Sequence, residues 1–474
     1  MWYAVAFFLV LLVVAIYDLT QKRHAILRNF PVIGHFRYLL EAIGPELRQY
    51  IVTDNDEERP FSRDQRRWVY ATSKKQNDYF GFGTDNDLEQ TPNYLIIKHA
   101  PFPLLDLHPG DEGYDPSYQI PSAKVLGGPR KRRKAFRPSS VVNISGMSYG
   151  SLSGAAIEAL NRGAKMAGCW HNTGEGGVSP HHRHGADLVW QIGTGYFGCR
   201  DERGNFSFSR FKETIAETPE IKAIEIKLSQ GAKAGLGGIV PASKVTSEIA
   251  AIRGVKPGEA CLSPARHSAF GDADSLLDFV EKLADESGLP VGIKSAVGQI
   301  EFWGELANLM TNGDRGVDFI AIDGGEGGTG AAPLVFADHV ALPFRIGFKR
   351  VRNEFLSRGL EDRVTFIGSG KLGFPEVAFR AFATGCDLIA LAREPMLAIG
   401  CIQAQRCHSG HCPAGVATQN RWLVRGLDPD RKSVRCGTYI ISLRKEILRL
   451  SRVCGKEHVS QINESDFEEV EGAQ

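Results

Sequence analysis

Apolar residues recur along this chain in short uninterrupted runs rather than in strict alternation. VVNIS (141–145), AIEIKL (223–228), VGIK (291–294), DFIAI (318–322), VTFI (364–367) and DLIAL (387–391) are such runs. A strand covered on both faces by helices has this texture, whereas a strand with one wet face alternates. Between the runs lie stretches with helical spacing, Gly154–Ala167, Ser275–Ser287 and Glu376–Ala383, for which Ser153 and Ser275 read as N-caps. Strand and helix alternating over roughly 250 residues predict a parallel α/β fold, either a barrel or a doubly wound sheet.

The barrel reading places ligand groups on the loops that follow the strands. SGMSYGS (145–151) follows the first strand, SQGAK (229–233) follows what reads as the third, and Lys294 ends another. DGGEGGTG (323–330) and GSGKLG (368–373) follow the next two.

The N-terminus has a different pattern. WYAVAFFLVLLVVAIY (2–17) carries no charge and is followed by Lys22, Arg23, His24 and Arg28. At 1.5 Å per residue the run spans ~24 Å, somewhat less than a bilayer core. With no basic stretch before it and no small-residue cleavage site after it, an uncleaved anchor is expected rather than a signal peptide or a buried helix. The trailing basic residues place the bulk of the chain in the cytoplasm, on the inner face of the cytoplasmic membrane. Residues 20–137 are polar, aromatic and irregular, with no legible chemistry. Their basic run Arg130–Lys134 is expected to be a solvated loop, or else attracted to anionic lipid.

Composition narrows the function. The chain has 474 residues, 43% of them hydrophobic, enough for a large core. A net charge of +1 gives no argument for nucleic acid. Nine cysteines, an odd number in a long chain, argue against a disulfide framework. Fifty-two glycines, many clustered, mark places where backbone approaches a ligand. Three clusters fit G-x-G-x-x-G: Gly193/Gly195/Gly198, Gly325/Gly327/Gly330 and Gly368/Gly370/Gly373. Only the third has a strand before it and a helix after it, which suits a nicotinamide fingerprint, the phosphate of FMN, or a plain turn. Lys294, at the end of a buried strand, either uses its charge, for instance beside a reduced flavin, or snorkels to solvent.

Cys401, Cys407 and Cys412 place three thiols within twelve residues, with Pro413 following. On spacing alone they suit an iron–sulfur cluster, a structural zinc completed by His408 or His411, or no metal.

Taken together these segments resemble the synthase domain of glutamate synthase. The family's cluster motif, C-x5-C-x4-C followed by P-x-G-V-A-T-Q, is matched by Cys401, Cys407, Cys412 and the run Pro413–Gln419. HNTGEGG (171–177), IEIKLSQGAKAGLGG (224–238), GGTGAAP (327–333) and SGMSYGS also look like family motifs, in order, over roughly 138–425. The resemblance implies an FMN-binding (β/α)8 barrel over 138–425, preceded by a transmembrane helix (1–19) and the region 20–137 and followed by a helical extension (426–474). It implies a [3Fe–4S] cluster on Cys401, Cys407 and Cys412. FMN contacts are implied for Ser145, Met147, Ser148, Asn172, Gln191 and Lys294, with Gly324, Gly325, Gly368, Ser369 and Gly370 around the phosphate and ribityl chain. The 2-oxoglutarate site maps onto Gln230, Lys233 and Arg253, which join Lys294 as catalytic candidates.

The implied activity passes electrons through the cluster to FMN and reduces an imine of 2-oxoglutarate to L-glutamate. The electron donor is then a ferredoxin or an NADPH-linked flavoprotein. No glutaminase domain is expected, so ammonia comes from solution or a separate subunit. The sequence departs from the family at the substrate side. The family's GAKPGEGGQ reads GAKAGLGGI, so Leu236 and Ile239 replace polar residues; the second acid of TGEGGE is Val178, and SGHDGG reads DGGEGG (323–328). Lost hydrogen-bonding groups of this kind favour an FMN/iron–sulfur oxidoreductase with another substrate or a membrane electron-transfer partner. A non-catalytic scaffold with a structural zinc is the alternative of a different class.

Overall fold

The computed structural model describes residues 2–44, 58–77, 79, 81 and 83–470. Eight parallel strands close into a barrel: Val142–Ile144, His171–Asn172, Leu188–Ile192, Ile221–Lys227, Val291–Ser295, Phe319–Asp323, Thr365–Ser369 and Leu388–Leu391. Each pairs with the next in sequence, and the eighth pairs with the first through Ile389↔Val142 and Leu391↔Ile144. Closure leaves no sheet edge exposed. It also sends every strand's C-terminal end to one mouth.

The barrel has two strands that the apolar runs do not announce. His171–Asn172 is two residues long, and Leu188–Ile192 contains Gln191. SQGAK therefore follows the fourth strand, not the third.

The helices form for local reasons. Gly154–Ala167 starts where Ser153 Oγ accepts from Ala156 N and stops at Gly168, whose φ of 63° only glycine adopts freely. The helix expected at Ser275 begins at Ala273. Asp272 is its N-cap, and Ser275 completes a capping box from the third position. The long helix Pro429–Val453 packs along Gly154–Ala167. The approach is close because a Cβ on Gly163 would lie 2.6 Å from Cys436 Cβ, and one on Gly437 2.8 Å from Met166 Sδ. After this helix the strand Phe467–Val470 pairs antiparallel with Tyr94–Ile97, joining the C-terminal segment to the N-terminal region.

The region 20–137 is not merely irregular. It contains the helices Ala25–Asn29, Gly34–Ala42 and Arg63–Ser73 as well as Tyr94–Ile97. The helix Trp2–Thr20 is long and apolar enough to cross a membrane, and its side chains are almost all exposed, so it is not a buried helix. Nor is Arg130–Lys134 simply a solvated loop. Arg130 and Arg132 tuck under the barrel at the ends of the strands away from the mouth. Arg132 reaches Asp318 at 3.0 Å and Glu281 at 2.9 Å, and Arg130 lies 3.8 Å from Asp318. Asp318 also accepts from Val291 N at 2.8 Å and is fully buried. Replacing Asp318 by Ala (D318A) would leave Arg130 without a carboxylate, Arg132 with Glu281 alone and Val291 N without its acceptor, and should destabilise the protein by about 3–5 kcal/mol. The urea midpoint reads this; a loss under about 1 kcal/mol, the range of an exposed ion pair, would contradict it.

Candidate functional site

Residues from all eight strands or the loops after them meet at the mouth. They surround one cavity that opens to solvent. Its floor is a layer of polar side chains from adjacent strands. Glu225, buried on the fourth strand, accepts from Gln191 Nε2 at 2.6 Å and Asn172 Nδ2 at 2.8 Å. These bonds fix both amides, and Gln191 lines the cavity while Asn172 lies just behind it.

Above this layer Lys227 and Lys294 are register partners on neighbouring strands, so both point into the barrel side by side. Each is buried and each has its own counter-charge. Lys227 reaches Glu175 at 2.8 Å and donates to Gln230 Oε1 at 2.7 Å. Lys294 donates to Ser145 Oγ at 3.1 Å and faces Asp323 at 3.8 Å. Burial pushes the Glu175 carboxyl up, but Lys227, Lys233 and Arg253 outweigh it and hold the pKa at about 2.

The glycine-rich loops meet backbone to backbone. A Cβ on Gly231 would lie 1.8 Å from Gly324 O, so only glycine permits the loops after the fourth and sixth strands to touch. Gly231 N donates to Asp323 Oδ2 at 2.9 Å across this contact. The glycines divide accordingly. Gly324 and Gly325 bond to Ser369 and Leu342 carbonyls, and Gly368 packs against Phe344, Cys386 and Leu372; none of the three lines the cavity. Gly327, Gly328 and Gly330 do, together with Ser369 and Gly370. Gly370 and Lys371 both take positive φ, 126° and 55°. Beside that turn Arg393 and Lys371 bring two cations against the buried ring of Phe61, at 5.1 and 5.3 Å. Burial lowers the pKa of both, and for Lys371 the neighbouring Arg393 lowers it further.

Gln230, Lys233 and Arg253 also line the cavity, with Ser148 and Met147, and Gln230 Nε2 donates to Gly328 O at 3.3 Å. Arg253, whose buried Nε has no hydrogen-bond partner among the described residues, donates to Tyr149 O at 2.9 Å, and its guanidinium lies 5.0 Å from the Phe197 ring centre. Lys233 has no such bonds, and burial lowers its pKa to about 8 against the pull of Glu175. Ile239, exposed and apolar, lines the same wall. Leu236 and Val178 are half-buried outside it.

The cysteine loop adjoins the cavity, with Cys407 and Ala417 in its wall. Among the described residues no three His, Cys, Asp or Glu side chains are gathered to hold a single metal ion as they stand. His411 Nδ1 lies 2.8 Å from Ser409 O, turned to its own loop. The loop is strained and clamped. Gln403 and Gln405, neither a glycine, hold φ of 56° and 54°. Tyr70 Oη donates to Cys401 O at 2.7 Å, and Gln403 exchanges hydrogen bonds with Phe61. Buried Lys244 donates to Cys407 O at 2.6 Å and to Ser151 O at 3.2 Å, bridging the loop to the first-strand loop. Pro413–Gln419 docks on the start of Gly154–Ala167, where Ser153 N donates to Val416 O at 2.9 Å.

A sequence profile described as a conserved region in glutamate synthase matches residues 121–457. The chain belongs to the glutamate synthase family. Within this oxidoreductase family it is 40% identical to the "glutamate synthase large subunit-like protein YerD" of Bacillus subtilis, over 93% of this chain and 90% of that one. It is 32% identical to the "archaeal glutamate synthase (NADPH)" of Methanocaldococcus jannaschii, over 66% of this chain and 59% of that one, and so spans under two thirds of that relative. Among solved structures, a flavocytochrome b2 variant with sulfite bound aligns at a TM-score of 0.47 with 12% identity, over 95% of this chain and 91% of that one. At that distance it carries no weight here.

Several site residues of this family member carried no role in the sequence reading: Glu175, Lys227, Asp323, Lys371 and Arg393. Lys227 ends a strand as Lys294 does, Glu175 and Asp323 stand inside motifs quoted above, and Lys371 is the Lys of GSGK. Arg393 carried no signal. If an anionic substrate enters this mouth, Lys233, whose ammonium has no hydrogen bond or ion pair among the described residues, is a cation placed to meet it. Lys233→Met should then raise KM by roughly 10–100-fold, the loss of a charge-assisted hydrogen bond. In the unaltered protein the cation is present below about pH 8 and is lost above it, so KM should climb as pH rises past about 8. A KM flat from about pH 7 to about 9.5, a range that brackets the titration, would contradict this role.

Proposed function

We propose that the protein is a membrane-anchored, glutamate-synthase-type oxidoreductase that holds FMN and an iron–sulfur cluster and reduces the imine of a 2-oxo acid, 2-oxoglutarate first among candidates, to the amino acid. One observation carries this reading: a single cavity is lined by Ser145, Gln191, Lys294, Ser369 and Gly370, by Gln230 and Lys233, and by Cys407 of the cysteine loop.

The donor set suits both groups. Two cations beside the left-handed Gly370–Lys371 turn, after the seventh and eighth strands, suit a phosphate. The polar floor with Lys294 suits a flavin ring that gains negative charge on reduction. Three thiols on a loop forced into left-handed backbone, with the buried Lys244 against it, suit a thiolate-held cluster, and the [3Fe–4S] form follows from the C-x5-C-x4-C family motif. When bound, FMN would supply hydride transfer and the cluster one-electron relay.

The chain's own residues do the rest. Lys294 sets a cation at the floor, oriented by Ser145 and Asp323. Lys227, neutralised by Glu175, holds Gln230 toward the cavity. Lys233 offers a carboxylate its partner, while Arg253 stiffens the wall behind. The helix Trp2–Thr20 would anchor the barrel on the cytoplasmic face. Asp18 is buried at its end, and Lys22 pairs with Asp428 at 3.2 Å, so residues just past the helix are built into the fold; a segment destined for cleavage does not need such ties.

A second reading keeps the same cofactors with another substrate or a membrane electron-transfer partner. Ile239 in the wall favours the first variant. The second is favoured by Asn29, in the connector after the anchor, which donates to Pro413 O at 2.9 Å beside the last cysteine. The assay that separates them follows reoxidation of the reduced protein on mixing with 2-oxoglutarate plus ammonia or glutamine. Accelerated reoxidation with glutamate formed is expected. No acceleration with either nitrogen source removes the glutamate-forming reading.

A further inference from the structure

The helix Gly34–Ala42 presents its apolar side outward. Ile33, Phe36, Leu39, Leu40 and Ile43 recur at helical spacing and are 78%, 62%, 54%, 45% and 41% exposed. The inward side carries Gly34 and Tyr38, the latter edge-on to His24 at 5.3 Å. A helix on a water-facing surface turns such a stripe toward the core. Five large apolar side chains on three turns form a contiguous patch of the kind that marks a contact surface.

The neighbouring element indicates what covers it. Asp18, two residues from the end of Trp2–Thr20, is fully buried. Its carboxylate accepts from Val32 N at 2.9 Å and meets His35 Nε2 at 2.9 Å. An isolated carboxylate is costly to bury, so these partners hold the joint closed. The stripe thus begins level with the end of the apolar helix, where a helix that spans a bilayer meets the headgroups. Gln21, Arg23 and His24 close the turn between Trp2–Thr20 and Ala25–Asn29 with their own hydrogen bonds.

We propose that Gly34–Ala42 is a second membrane contact, lying in the lipid–water interface with its apolar stripe in the acyl boundary. This rests on the reading of Trp2–Thr20 as an anchor and extends it. One helix alone lets a domain swing; a second contact, fixed to the first through Asp18, sets the barrel's tilt over the bilayer. The same connector is tied to the barrel. Asn29 donates to Leu423 O at 2.8 Å, and Trp422 Nε1 donates to Asn29 O at 2.9 Å. The trailing end of the cysteine loop is therefore held beside the membrane.

Photocrosslinking of the full chain in nanodiscs of phosphatidylethanolamine and phosphatidylglycerol tests this. p-Benzoylphenylalanine replaces Phe36 or Leu39 in turn. Phe8, in the anchor, serves as the positive site. Phe102 is the remote site: it is exposed, and its segment is held to the far end of Pro429–Val453 by Leu104 N donating to Arg452 O at 3.0 Å. Lipid adducts at 36 and 39 should match those at 8 and exceed those at 102 by about tenfold. Lipid adducts at 8 with only protein adducts at 36 and 39, whether to a second copy or to residues 45–57, would overturn the interfacial contact and leave the anchor standing. No lipid adduct at 8 would remove the anchor reading and this proposal with it.

Discussion

Lys227 and Lys294 stand side by side on neighbouring strands, both out of water, and the mouth is organised around that pair. Two ammonium groups on neighbouring strands repel when desolvated, and each is costly to bury without a counter-charge. Glu175 and Asp323 supply one each, from the loop after the second strand and from the end of the sixth. Placing Asp323 there requires the two glycine-rich loops to touch, which Gly231 permits, and placing Glu175 brings HNTGEGG over the third and fourth strands. Once the pair is neutralised, Gln230 is fixed by Lys227 and Ser145 by Lys294. Lys233 is left with spare positive charge at the cavity.

The second organising feature is the cysteine loop, which has almost no regular structure and is held by parts distant in sequence. Tyr70 and Phe61 approach from the N-terminal region, Lys244 from the insertion between the fourth and fifth strands, and Ser153 from the first helix of the barrel. Left-handed backbone at Gln403 and Gln405 persists only under such restraint. Phe61 does double duty, since its ring also covers Lys371 and Arg393. The region before the barrel thus ties the cysteine loop to the cations after the seventh and eighth strands.

Six of eight barrel strands were legible because their residues face helices and read as apolar runs. The other two were not read: His171–Asn172 is a strand of two residues that leaves no period to read, and Leu188–Ile192, as apolar a run as AIEIKL, was passed over. SQGAK, read as following the third strand, follows the fourth, because both of these strands precede it. The helix cap moved from Ser275 to Asp272 because both residues belong to one capping box and either end of it reads as a cap. The motifs located the mouth loops. What no local pattern showed is pairing across the barrel: that Arg253 donates to Tyr149, that Arg130 and Arg132 converge on Asp318, or that Arg393 joins Lys371 over Phe61. Each depends on residues more than one hundred positions apart, apart from Arg393 and Lys371, which follow the paired eighth and seventh strands.

The central claim is that one cavity holds a flavin against a thiolate-held cluster. The visible spectrum of the intact purified protein, taken with electron paramagnetic resonance of its oxidised form, tests this most directly. The account predicts flavin absorption over a broad iron–sulfur background and a resonance from a paramagnetic three-iron cluster, lost when Cys407 is replaced by Ser. A colourless protein carrying one zinc would contradict it.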